Sequence, residues 1–253
     1  LPSHGRDARA EFEAEHIPGA VFLDLDEVVD SANPVPHMLP PEDKFASRMQ
    51  SLGLGDGSRF VVYDNSPLHS AARAWWMLKT FGAHYAAILD GGMQKWTAEG
   101  RPVESGRPHV RHAHFSPLFD GRQVADKAFV SSILGAGSHE LVDARSADRF
   151  TGQAGEPRPG LPAGHIPGSR SLPQGDLFNA HNSWKRGDEL RGAFDAAGVD
   201  LSKPLVTTCG SGITAAVLLF GAQLLGKDDV MLYDGSWAEW GADPAMPKAT
   251  GAA

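Results

Sequence analysis

Pro204-Leu205-Val206-Thr207-Thr208-Cys209-Gly210-Ser211-Gly212-Ile213-Thr214 decides how this chain reads. The apolar and β-branched run predicts a strand, Gly-Ser-Gly predicts a tight turn, and Ala215 to Leu225 has a helical pattern. The strand ends in the one cysteine of 253 residues. A strand–turn–helix sets such a sulfur beside backbone N–H groups the helix does not use, at the positive end of its dipole. Surroundings of that kind favour thiolate over thiol, and a thiolate is a nucleophile. The competing reading of a lone cysteine is a small buried hydrophobe.

Outward from this segment, the chain repeats itself. His165-Ile166-Pro167-Gly168-Ser169 echoes His16-Ile17-Pro18-Gly19-Ala20, and Asp234-Gly235-Ser236-Trp237 echoes Asp90-Gly91-Gly92-Met93. Leu205 to Cys209 echoes Phe60-Val61-Val62-Tyr63-Asp64. The offsets are 149, 144 and 145 residues, in one order, which predicts two copies of one domain. In the second copy, strands are expected at 140–143, 205–208 and 230–233, with helices over 188–198 and 213–225 and Gly226 as a C-cap. Strands alternating with helices predict an α/β fold: two tandem domains, each a mainly parallel sheet with helices on both faces. The domains are placed at 1–105 and 125–253, with a Pro-, Gly-, Arg- and His-rich linker over 106–124. In such sheets ligands bind beyond the carboxyl ends of strands, where Cys209 falls.

The second copy has a strand, Leu141-Val142-Asp143, about twenty residues before its His-Ile-Pro-Gly. The first copy has fifteen residues there and none resemble a strand, so its first strand is expected to be missing, with Leu1 to Gly5 as the end of an absent segment.

Net charge of −8 and the absence of a basic run argue against nucleic acid and anionic membranes as partners, and no apolar run is long enough to span a bilayer. One cysteine excludes an intrachain disulfide and a four-cysteine zinc site, so a reducing cytoplasm is expected. His109, His112 and His114 lack a nearby thiol or carboxylate at ligand spacing and are expected to be solvated; no metal and no cofactor is expected. A Cys-(x)5-Arg phosphatase loop is excluded by Ala215, the sixth residue after Cys209.

The paired His-Ile-Pro-Gly motifs and the strand–Cys–loop–helix resemble the two-domain rhodanese family of sulfurtransferases, from about Gly5 to Gly241. The loop Cys209-Gly210-Ser211-Gly212-Ile213-Thr214 carries no charge and is similar to that of family members acting on 3-mercaptopyruvate; thiosulfate-using members have Arg and Lys there. The resemblance implies a Cys209 persulfide, a catalytically silent first domain with Asp64 in the cysteine's place, and substrate binding by Arg149, Arg158 and the loop residues Gly210, Gly212, Ile213 and Thr214. It further implies catalytic assistance from Ser211 and, across the domain boundary, from Asp26 and His37. The implied partners are 3-mercaptopyruvate as donor and a thiol, such as thioredoxin, as acceptor. Transfer from thiosulfate and a non-catalytic binding module are the alternatives. Asp26 as a helix cap, Ser211 as a turn residue and the two arginines as surface ion pairs are the structural readings of those residues. Five tryptophans, Trp75, Trp76, Trp96, Trp237 and Trp240, are expected in cores or between domains.

Overall fold

The structure, a computed structural model, describes residues 5–252. Leu1 to His4, part of the segment singled out above, lie outside the described residues. Two sheets form, each wholly parallel. The second lobe holds five strands: β3 (Val124–Ala125), β4 (Glu140–Asp143), β5 (Arg170–Ser171), β6 (Leu205–Thr208) and β7 (Val230–Tyr233), in the order β3-β7-β6-β4-β5. The first lobe holds two, β1 (Phe60–Val62) and β2 (Ala86–Ile88), paired in register Phe60 with Ala86.

β6 is central because its sequence suits burial on both faces. Leu205 and Cys209 join one hydrophobic cluster, while Val206 joins another with Leu141, Tyr233, Trp237 and Trp240. The first cluster runs unbroken into the first lobe through Phe45, Trp76, Phe81 and Leu218. Two helices carry it, α3 (Ala71–Thr80) and α8 (Ala215–Leu224), which pack on each other. Both are buried along nearly their whole length; α8 is apolar all round, while α3 takes one charge, Arg73, into the interior. Trp75 of α3 meets Phe220 of α8 edge-on, 4.8 Å between ring centres. Trp75, Trp76, Trp237 and Trp240 are buried, whereas Trp96 is only half-buried.

The repeat is visible in contacts as well as in sequence. Leu39 N–H of the first lobe donates to Asp234 of the second at 2.6 Å, and Trp184 N–H of the second donates to Asp90 of the first at 2.9 Å. Two residues before each donor stands a non-glycine in the left-handed region, His37 (φ 64°) and Asn182 (φ 59°). The two lobes thus clasp each other by the same device used twice.

Some expectations shift. The helix expected from 213 begins at Ala215, and that expected over 188–198 runs from Gly187 to Ala196. Phe22 to Asp26 form no strand, although the matching segment of the second lobe, β5, pairs with β4. No described strand lies where β4 would be in the first lobe, so the segment has no ladder to join. The 106–124 stretch is docked on the first lobe: Ala113, Leu118 and Asp120 N–H groups donate to Gln50, Phe81 and Thr80 carbonyls, and Phe115 is buried against Phe45. His109, His112 and His114 are exposed along it. No helix among the described residues is long and apolar enough to cross a membrane.

Candidate active site

Cys209 sits at the carboxyl end of β6, 2% exposed, under a loop that leads into α8. The loop is held from beneath by Ser236, the first residue of the short helix Ser236–Trp240 that follows β7. Its Oγ accepts from Cys209 N–H at 3.2 Å and Gly212 N–H at 3.1 Å, and its own proton goes to the Tyr233 carbonyl at 2.8 Å. That oxygen lies 4.0 Å from the Cys209 sulfur. Ser236 is fully buried with φ 49°, a strained conformation for a residue with a Cβ. Trp237 and Ala238 N–H groups close the grip on the Cys209 and Gly210 carbonyls.

With Gly212 N–H so engaged, the N–H groups of Gly210, Ser211, Ile213 and Thr214 donate to no protein acceptor among the described residues. A run of such donors beside a sulfur makes an anion-holding concavity. Gly212 is required by its backbone, φ 77°, and by space: a Cβ there would fall 2.8 Å from Arg73 Nη1 and 2.9 Å from the Asp234 carbonyl oxygen.

The first lobe completes the site. His37 Nδ1 lies 2.8 Å from Ser211 Oγ, and its Nε2 lies 3.5 Å from Asp26 Oδ1. A proton on Nε2, facing the carboxylate, leaves Nδ1 to accept from the Ser211 hydroxyl. Burial, and next the Arg158 guanidinium, hold the His37 imidazole below its ordinary pKa, against a smaller upward pull from Asp26. His37 is therefore neutral at neutral pH. Asp26 caps no helix; it lies in a turn, 69% exposed, at the rim.

The two arginines differ. Arg149, in α6 (Ala147–Thr151), gives Nη2 and Nε to the buried Glu156 carboxylate at 2.6 and 3.2 Å, and its Nη2 presses on Gly210, 3.0 Å from where a Cβ would be. Arg158 is half-buried and pairs with no carboxylate among the described residues. Burial lowers its pKa; Cys209, then Glu156 and Asp26, favour its charged form, while Arg149 opposes it. The loop, both arginines, His37, Asp26 and Ser211 are therefore brought together.

Three functional-looking residues went unread in the sequence, besides Ser236. Arg73 of α3 is buried and donates to Asp234 Oδ1 (2.6 Å), the His37 carbonyl (2.6 Å) and the Gly212 carbonyl (3.3 Å). One guanidinium thereby sets both the imidazole-bearing segment and the cysteine loop. The signal was present: Arg73 is the single charge in Ala71 to Leu78, and Asp234 repeats Asp90. Glu156, two residues before Arg158, is the third. His16 and His165 are positional: each is buried with Nδ1 on a backbone carbonyl, of Phe12 and Phe150.

A cysteine-bearing parallel α/β lobe, fused through a shared core to a copy of itself without the cysteine, is a tandem rhodanese arrangement. The chain belongs to the rhodanese-like domain family, whose profile matches residues 6–99 and 127–243. Among its relatives, the 3-mercaptopyruvate sulfurtransferase of Mus musculus is 45% identical, over 95% of this chain and 82% of that one. Thiosulfate sulfurtransferase of Bos taurus is 40% identical, over 93% and 80% respectively. The crystal structure of SseA from Escherichia coli, a 3-mercaptopyruvate sulfotransferase, matches with a TM-score of 0.85 and 37% identity, over 93% of this chain and 88% of that one.

Proposed function

We propose that this chain transfers sulfur from 3-mercaptopyruvate to a thiol or cyanide through a persulfide on Cys209, releasing pyruvate. The observation that carries the reading is the meeting, at one sulfur, of an uncharged loop whose N–H groups are open and an arginine without a carboxylate partner, both among the described residues, with a neutral His–Ser pair from across the lobes. The names of the relatives supply the donor.

The Cys209 thiolate attacks the thiol sulfur of the donor. The S–S bond forms as the C–S bond breaks, and the bonding electrons leave with carbon as the pyruvate enolate. Arg158, with the free edge of Arg149, binds the donor carboxylate and sets the in-line geometry. The enolate carbon takes a proton that Ser211 relays, its hydroxyl held by His37 Nδ1 and refilled from the transferred S–H or from water. The open amides of Gly210, Ile213 and Thr214 hold the anionic sulfur before and after transfer. A second thiolate, a small thiol or thioredoxin, then takes the outer sulfur and restores the Cys209 thiolate. The cytoplasm suits a chain whose one thiol must stay reduced between turnovers.

Steady-state kinetics on both donors, with pyruvate and thiocyanate assayed in parallel, test this reading. A larger kcat/KM for 3-mercaptopyruvate is expected; a larger value for thiosulfate overturns the donor assignment.

A further inference from the structure

The charges around Cys209 cancel almost completely, and the way they cancel points to one residue. Arg73 is bound to Asp234. Arg145, fully buried, holds Asp143 through Nε and Nη2 and reaches Glu156 Oε1 with Nη1 at 2.8 Å. Arg149 holds the other oxygen of Glu156 at 2.6 Å. Arg145, Asp143, Glu156 and Arg149 therefore form a closed quartet with no net charge. His37 is neutral, and Asp26 stands at the rim where water screens it. Among the described residues, Arg158 is left as the one unbalanced cation facing the sulfur.

We propose that Glu156 is the specificity-determining residue of the donor site: it aims Arg149 at the cysteine loop and cancels its charge, so that the pocket matches a donor of one negative charge and rejects a dianion. This rests on the reading of Cys209 as the sulfur-accepting nucleophile. With the loop amides holding the anionic sulfur, a monoanionic carboxylate neutralises Arg158 and leaves no side-chain charge unpaired. Thiosulfate brings a second negative charge into a half-buried pocket beside an anionic sulfur, with no cation to meet it. Glu156 does this without touching the donor. Its carboxylate is 2% exposed and both its oxygens are taken by guanidinium groups.

Glu156→Gln removes one negative charge and keeps the shape. Arg145 retains Asp143 and the Gly164 carbonyl, so the buried arginine is not orphaned. Arg149 then becomes a second unbalanced cation. The readout is the ratio of kcat/KM for thiosulfate to that for 3-mercaptopyruvate, measured on one sample, so that loss of folded protein divides out. We expect the ratio to rise roughly ten- to hundredfold in Glu156→Gln, and inhibition by sulfate to tighten relative to inhibition by pyruvate. Arg149→Gln, which leaves Glu156 on Arg145, is expected to move the ratio the opposite way. A ratio within about twofold of the parent in Glu156→Gln, or a shift of the same sign in both variants, overturns the proposal. A wild-type preference for thiosulfate instead overturns the donor assignment and leaves the effect of Glu156 to be read from the direction of the change.

Discussion

Two loops built on one plan stand at equivalent ends of the two lobes, and they solve the same electrostatic problem differently. After β1, the Asp64 carboxyl turns back into its own loop and accepts from Ala71 N–H at 2.5 Å, Ser66 N–H at 3.4 Å and the Ser70 hydroxyl at 3.4 Å. Packing around it pushes that carboxyl above its usual range. After β6, Cys209 offers no such acceptor, and four N–H groups of its loop stay open among the described residues. The first lobe thus carries its ligand covalently as a side chain, while the second waits for one. The backbone grips match: Met93 N–H donates to the Asp64 carbonyl at 3.0 Å, as Trp237 N–H does to the Cys209 carbonyl at 3.0 Å. The difference lies in the side chain that ends the strand, and in Ser236, where the first lobe has Gly92 with a similar φ of 52°. A glycine takes that conformation at no steric cost; a serine there accepts strain to supply an oxygen under the loop.

Replacing the nucleophile should break the comparison most severely. Cys209→Ser is expected to lower turnover on the order of 10⁴-fold or more, with an unchanged melting temperature. Residual activity within tenfold of the parent, a factor of about 1.4 kcal/mol in the barrier, would place the chemistry elsewhere.

Ser236 sharpens it next. Ser236→Ala leaves two buried N–H groups without an acceptor and keeps the backbone strain; Ser236→Gly leaves the same donors unmet but relieves the strain. Both should lose roughly ten- to hundredfold in kcat, with little change in KM. In thermal unfolding the glycine variant should be the more stable by about 1 kcal/mol. Equal stabilities would mean that φ is not strained as described.

Converting the first loop is the converse experiment. Asp64→Cys should create a thiol that accepts no sulfur, because Arg149, Arg158 and His37 gather at the Cys209 loop instead. It should also cost about 1–3 kcal/mol of stability through the lost acceptor. Sulfur found on the new thiol in a peptide map would contradict the idea that the loop alone is insufficient.

The smallest effect concerns pH. His69, in the first loop, stacks on Phe178 of the second lobe at 3.6 Å, and burial pulls its pKa to about 4. Its folded value lies below the ordinary 6.5, so its neutral stacked form contributes full stability above pH 6.5 and loses it as pH falls towards about 4. His69→Asn, which tolerates the left-handed backbone, should flatten the melting temperature between those limits. His37 is lowered in the same direction, so catalysis should persist below pH 6.5 before its acid limb appears. A catalytic limb at or above 6.5 would mean that the imidazole is not desolvated as placed.

Local periodicity made much of this legible. The 145-residue offset fixed the duplication, and the strand–Cys–turn–helix fixed where the sulfur would stand. His37 and Asp26 were reached through family resemblance, since nothing local ties them to Ser211, which is 174 positions beyond His37. Arg73, Asp234 and Glu156 escaped because they touch through buried pairing rather than through spacing. Arg73 and Asp234 are 161 residues apart in sequence and 2.6 Å apart in space. Ser236 escaped for another reason: in sequence it stands only as part of the repeat, and what the serine does is seen from its hydrogen bonds to Cys209 and Gly212 N–H and from its φ. Arg149 and Arg158 looked equivalent in sequence, and only the Glu156 contact separates them.

The central claim is that the second loop is open to a sulfur where the first is filled by its own carboxyl. Intact and peptide mass spectrometry of the folded protein, exposed to 3-mercaptopyruvate without an acceptor, tests it directly. The account predicts one added sulfur atom, located on Cys209 and removed by cyanide. A folded protein that releases no pyruvate and keeps an unmodified Cys209 would contradict it.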